Sequence, residues 1–268
     1  SVPRLEDQRF LTGTGQFVDD VSLPRMVHMA ILRSPQAHGW IKAIDLTAAR
    51  EMPGVLDAFA AADIEMELPD IPLRLAPFKG FERFLQKPLA VDKVRYVGEP
   101  VAIVIAENRY LAEDALAAII VDIETLPAVT TLDQAQTGDV LLHDAAGENV
   151  GAAYPVGRGD IDAAFKDAPY TRHERFVTNR HAACPLETRG LIGECDQPSG
   201  VLRLTGAAKV TFFNRRHLAA AFGLGEDQVE LIELDVGGAF GARGELYPED
   251  YLVLIAAQRV GKPVKWIE

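Results

Sequence analysis

Leu234-Asp235-Val236-Gly237-Gly238-Ala239-Phe240-Gly241-Ala242-Arg243-Gly244 follows a run of strand character, Glu230 to Val236, and leads into a helical pattern from Pro248 to Val260. Glycines at 237, 238, 241 and 244 strip side-chain bulk from the bend, so bare N–H groups can converge on something anionic or oxo-bearing. From the glycines alone, an ordinary connection between strand and helix is the commoner explanation. The helix that follows is well signalled. Pro248 suits its first position, Glu249 and Asp250 complement the positive end of the helix dipole, and Gly261 with Pro263 closes it.

Working outward from that bend, the second half of the chain predicts a short helix around Ala163 to Lys166 capped by Asp160, and a strand from Tyr170 to Phe176. A further strand is expected at Gly200 to Leu204, and a helix from Asn214 to Phe222 that ends at Gly223. Val264 to Ile267 has a strand pattern, and the chain reads as cut from something longer. In the first half, strands are expected at Val27–Leu32 and Gly39–Ile44, separated by Ser34-Pro35. A short helix from Leu46 to Met52 follows, with Asp45 as its cap. Pro69 to Lys87 reads as a long surface loop. Val101–Ile105, a helix from the cap Asn108 to Ala118 and a strand at Ile119–Ile123 read as a split β-α-β unit. Leu126 to Gly151 is the best domain boundary.

The totals narrow the function classes. At 268 residues the chain can hold two domains by the soft prior of roughly 100–200 residues each. Hydrophobic residues make up 48% and charged residues 25%, an ordinary globular composition. A net charge of -12, with no run of Lys and Arg, argues against nucleic acid and anionic membrane surfaces as partners. No apolar run approaches the length of a membrane span, and the first residues do not form a signal peptide. Cys184 and Cys195 form no CxxC pair and have no histidine at zinc spacing, so they read as reduced thiols in a cytoplasmic protein. The motifs of serine hydrolases, phosphate-loop NTPases, zinc peptidases and Rossmann dehydrogenases are missing from the sequence.

Two further constellations could carry chemistry. Arg180 to Gly190 places Glu187 and Arg189 about one strand pleat apart, either a buried pair that orients a neighbouring loop or a surface ion pair worth little. His181 and Cys184, three positions apart with no orienting acid, make a poor nucleophile pair. Thr205-Gly206-Ala207-Ala208-Lys209 lets backbone approach a ligand while Lys209 supplies a donor; a solvated lysine in a tight turn fits the same residues.

In this order the pieces resemble the molybdenum-binding large subunit of the xanthine dehydrogenase, aldehyde oxidase and aerobic carbon monoxide dehydrogenase family. The resemblance runs over nearly the whole chain. Gly13 to Asp20, Arg33 to His38, Arg95 to Ala102 and Ala112 to Ala115 are similar to the family's hammerhead domain. Gly157 to Asp160 with Ala163 to Phe165, Pro185 to Gly190, and Asp235 to Gly244 with Leu246 to Asp250 resemble the opening of its cofactor-binding region. The resemblance implies an α+β chain: a hammerhead-type α/β domain over residues 1–130, a linker over 131–150, and over 151–268 the first part of a molybdopterin-binding α+β domain. It also implies a molybdopterin dinucleotide with molybdenum as cofactor, with iron–sulfur clusters and FAD on partner subunits or domains. The reaction would be hydroxylation of an aldehyde or N-heterocycle with oxygen drawn from water.

By position, Gly238, Ala239, Phe240 and Gly241 would line the oxo side of the metal through their backbone, and Lys209 stands where the best-known members carry a glutamine. A lysine cannot accept a hydrogen bond, which changes the usual network. Gly244 stands where purine hydroxylases carry a glutamate, so xanthine is a poor candidate substrate. No residue here matches the family's general base, a glutamate near the far end of the large subunit, and no side chain is expected to ligate the metal. Such a chain is the N-terminal portion of a catalytic subunit that needs the C-terminal portion to be active. The rival reading is a non-catalytic scaffold or assembly module that keeps the fold without the cofactor. A third, an unrelated phosphate-binding glycine loop, requires the motif order to be coincidence.

Overall fold

A computed structural model of the chain describes residues 2–74, 79–206 and 210–268. After a short helix α1 (Asp7–Leu11), strands β1 (Val27–Arg33) and β2 (Gly39–Asp45) flank the Ser34-Pro35 bend. Asp45 accepts from the Thr47 N–H at 2.9 Å and opens α2 (Thr47–Arg50), which leads to β3 (Val55–Ala60). Next come β4 (Lys93–Val94), β5 (Pro100–Ala106), α3 (Arg109–Leu116), β6 (Ile120–Thr125) and α4 (Leu132–Thr137). Asn108 caps α3 by accepting from the Leu111 N–H. The second half contains α5 (Ile161–Asp167), β7 (Gly190–Cys195), β8 (Leu202–Thr205), α6 (Thr211–Ala221), β9 (Val229–Ile232), α7 (Pro248–Val260) and β10 (Val264–Ile267).

These strands form two sheets, one of seven strands in the order β3-β5-β1-β10-β7-β8-β9 and one of three in the order β4-β2-β6. The position of β10 organises the molecule. It pairs parallel with β1 on one side, Val27 opposite Val264, and antiparallel with β7 on the other, Trp266 opposite Leu191. Strands from both halves of the chain therefore share one hydrogen-bonded sheet. Helix α7 lies against β7 and β10 with an unbroken buried run from Pro248 to Ala257. Gly193 permits that approach, because a Cβ there would stand 2.5 Å from the Val253 carbonyl oxygen.

The α+β class and most elements match the sequence reading, with instructive differences. β5, α3 and β6 do not form one β-α-β unit, since β5 lies in the large sheet and β6 in the small one. Tyr170 to Phe176 has no strand pairing among the described residues and is exposed, and β9 stops at Ile232 so that residues 233–236 leave the sheet as irregular backbone. Pro69 to Lys87 is not wholly superficial: Ile71 joins the main core and donates its N–H to the Gln86 carbonyl.

Candidate functional site

The bend that decides the fold also gathers the motifs. Asp235 forms an ion pair with Arg9, accepts from the Gln16 N–H at 2.8 Å and donates its own N–H to the Gln16 carbonyl, tying Gly13–Asp20 to the entrance of the bend. At the exit, Glu249 in the first turn of α7 is buried between Arg33 of β1 at 2.6 Å and Arg189 at 3.2 Å. Arg33 also donates to the Gly98 carbonyl, which brings in the Arg95–Ala102 segment. Arg189 lies over the rings of Tyr247 and Trp266 and pairs with Glu268 at 2.7 Å. Burial works against its charge, but these carboxylates outweigh it and hold the guanidinium above its ordinary pKa.

The bend itself is fixed from below. Glu187 accepts the Gly237 N–H at 2.7 Å and returns its own N–H to the Gly237 carbonyl. Arg243, 7% exposed, donates to the carbonyls of Gly238, Glu187 and Thr188 at 2.7–2.9 Å and pairs with the Glu187 carboxylate at 3.0 Å. A side chain on Gly237 would place its Cβ 2.5 Å from that of Glu187, so the contact demands glycine. Above this support Gly238, Phe240 and Gly241 all adopt positive φ, and Phe240 at +47° is strained for a residue with a side chain. Phe240 is nonetheless 79% exposed. Among the described residues, none accepts from the N–H groups of Gly238, Ala239, Phe240 or Gly241.

The structure thus presents a row of N–H donors on a braced, side-chain-poor ledge. That arrangement fits the anionic and oxo-bearing edge of a metal cofactor, because preorganised dipoles stabilise negative charge without reorganising. Lys209 lies outside the described residues. Among the described residues no group of three or more His, Cys, Asp and Glu side chains is placed to hold a metal ion. Cys184 is exposed and its thiol donates to the Ala182 carbonyl.

Sequence reasoning paired Glu187 with Arg189, and the fold separates them: Glu187 goes to Arg243, Arg189 to Glu249 and Glu268. Glu249 and Asp250, read as dipole-complementing residues, are also buried. The overlooked residue is Arg243. Its signal was an arginine closing a glycine-rich bend, a place where long-range partners rather than neighbours set the role.

A family model described as the aldehyde oxidase and xanthine dehydrogenase a/b hammerhead domain matches residues 12–127, and one described as the molybdopterin cofactor-binding domain matches residues 142–268. The chain belongs to this molybdenum hydroxylase family. Within the family it is 38% identical to the 6-hydroxypseudooxynicotine dehydrogenase complex subunit gamma of Paenarthrobacter nicotinovorans, covering 100% of this chain and 34% of that protein. It is 36% identical to the nicotine 6-hydroxylase large subunit of the same organism, over 100% of this chain and 33% of that one. The crystal structure of quinoline 2-oxidoreductase from Pseudomonas putida 86 superposes with a TM-score of 0.90 at 35% identity, covering 100% of this chain and 34% of the other. The chain therefore spans about a third of the length of these three relatives. Among the described residues no helix is long and apolar enough to cross a membrane.

Proposed function

We propose that this chain is the N-terminal portion of the catalytic subunit of a molybdenum hydroxylase, and that its Gly238–Gly241 ledge forms one wall of the cofactor cleft. The exposed, strained Phe240 between N–H groups that have no acceptor among the described residues carries this reading. Bound there, a molybdopterin dinucleotide would supply molybdenum for two-electron oxidation, with the inserted oxygen drawn from water. The chain's own part is to donate N–H groups from residues 238–241 toward the oxo side, to let the cofactor approach closely over the glycines, and to offer the Phe240 ring as substrate wall. No residue here is proposed as the general base, so the isolated chain should be inactive. Relatives named for nicotine and quinoline oxidation favour an N-heterocycle over an aldehyde as the substrate class.

The opposite wall of the cleft would come from the remaining two-thirds of the subunit, with electrons passing to iron–sulfur and FAD partners in the cytoplasm. Residues 152–184 support this. Apart from Ala168 every residue in that stretch is exposed, including Ile161, Phe165, Tyr170, Phe176 and Val177. Holding so long an exposed arm in order costs conformational entropy, and its exposed large apolar side chains favour a covering surface. We also place the boundary between the two domains at residues 131–150. Metal analysis of this chain co-expressed with its continuation tests the proposal: molybdenum near one atom per protomer is expected, while a stable complex that never takes up molybdenum would favour the scaffold reading.

A further inference from the structure

We infer that Glu187 and Arg243 act together as the positioning pair that holds the ledge in its donor-presenting shape, an inference that rests on the cofactor reading above. The two side chains are 17% and 4% exposed, and between them they engage both edges of the bend. Glu187 fixes the N–H of Gly237, the last donor before the free row begins. Arg243 fixes the Gly238 carbonyl from the other side and anchors itself on the Glu187 and Thr188 carbonyls. With Gly237 pinned by its N–H and Gly238 by its oxygen, the peptide planes that follow have little freedom to rotate. Among the described residues none accepts from the N–H groups of Ala239, Phe240 and Gly241.

The strain at Phe240 persists only while its surroundings over-determine it. The turn bond from the Ala242 N–H to the Ala239 carbonyl at 2.8 Å closes the bend, and the Arg243 fork holds that turn against the Pro185–Arg189 segment. A lysine at 243 cannot do this, since a single ammonium lacks the planar array that serves three carbonyls at once. The contacts of Glu187 and Arg243 go to the bend, to each other and to the 187–188 backbone. Their role is to aim the ledge.

Two measurements on the full-length subunit with its partners test the inference. In the unmutated protein, hydrogen exchange should show the Gly237 amide protected and those of Ala239, Phe240 and Gly241 fast without cofactor, slowing when it is bound. In Arg243→Lys, with far-UV circular dichroism unchanged, Gly237 protection should fall at least tenfold. The paramagnetic resonance signal of the reduced metal should shift, and kcat should drop about tenfold or more with KM within about twofold. Glu187→Gln, which keeps an acceptor for Gly237, should lie between the two. A molybdenum-loaded Arg243→Lys protein with native exchange, resonance signal and kcat would overturn the positioning role. Unmutated protein free of molybdenum would instead overturn the cofactor reading. If Arg243→Lys fails to fold, the exchange pattern of the unmutated protein decides: an unprotected Gly237 amide contradicts the pair.

Discussion

Asp250 and Glu249 are adjacent buried acids with different supports. Glu249 sits between two arginines, whereas Asp250 accepts the Tyr247 N–H at 2.8 Å in a cavity wall shared with Arg189, Asn214 and Arg243. Burial, reinforced by the neighbouring Glu249 charge, pushes the Asp250 carboxyl up to about 7 from an ordinary 3.8. The folded chain therefore binds a proton that the unfolded chain releases. Stability from this group is complete below about pH 4 and is lost as pH rises through about 7. Asp250→Asn removes the dependence, so urea denaturation should find the variant more stable at pH 8, by up to about 4 kcal/mol, with little difference near pH 4. An equal offset at both pH values would show that Asp250 is not the titrating group.

At the level of elements, the legible parts were those with local signals. β1, β2, β5, the Asn108 cap of α3 and both ends of α7 follow from alternation, capping and proline placement in the sequence. β7 escaped notice because its glycines weaken the strand signal, and they are present for packing: Gly193 faces α7 backbone, and Gly190 faces Val18 and Ile267. Tyr170 to Phe176 reads as strand-like but has no neighbour among the described residues to pair with. In the site, the glycine bend was readable as a ledge, while the Glu187–Arg243 brace was not, because its members lie 56 positions apart. The same packing logic yields a prediction. Gly193→Ala should push α7 away from the sheet and lower stability by roughly 1–3 kcal/mol in chemical denaturation. An unchanged midpoint would mean that α7 does not seat as closely as described.

Over the whole molecule, β10 joins strands of both matched domains into one sheet, and the bend, α7 and β10 follow one another directly in the chain. The ledge is thus built on the seam of the seven-stranded sheet, with the Asp235, Arg33 and Glu187 contacts bringing four separate motifs to it. Placing a braced N–H row on such a seam and leaving a long exposed arm beside it suits a half-cleft closed by further polypeptide. A cryo-electron microscopy map of the full-length, molybdenum-loaded subunit tests this most directly. The account predicts cofactor oxygens or the oxo edge of the metal within hydrogen-bond distance of the Ala239–Gly241 N–H groups, with the arm at residues 152–184 covered. A cofactor bound elsewhere, with the bend turned to solvent, would contradict it.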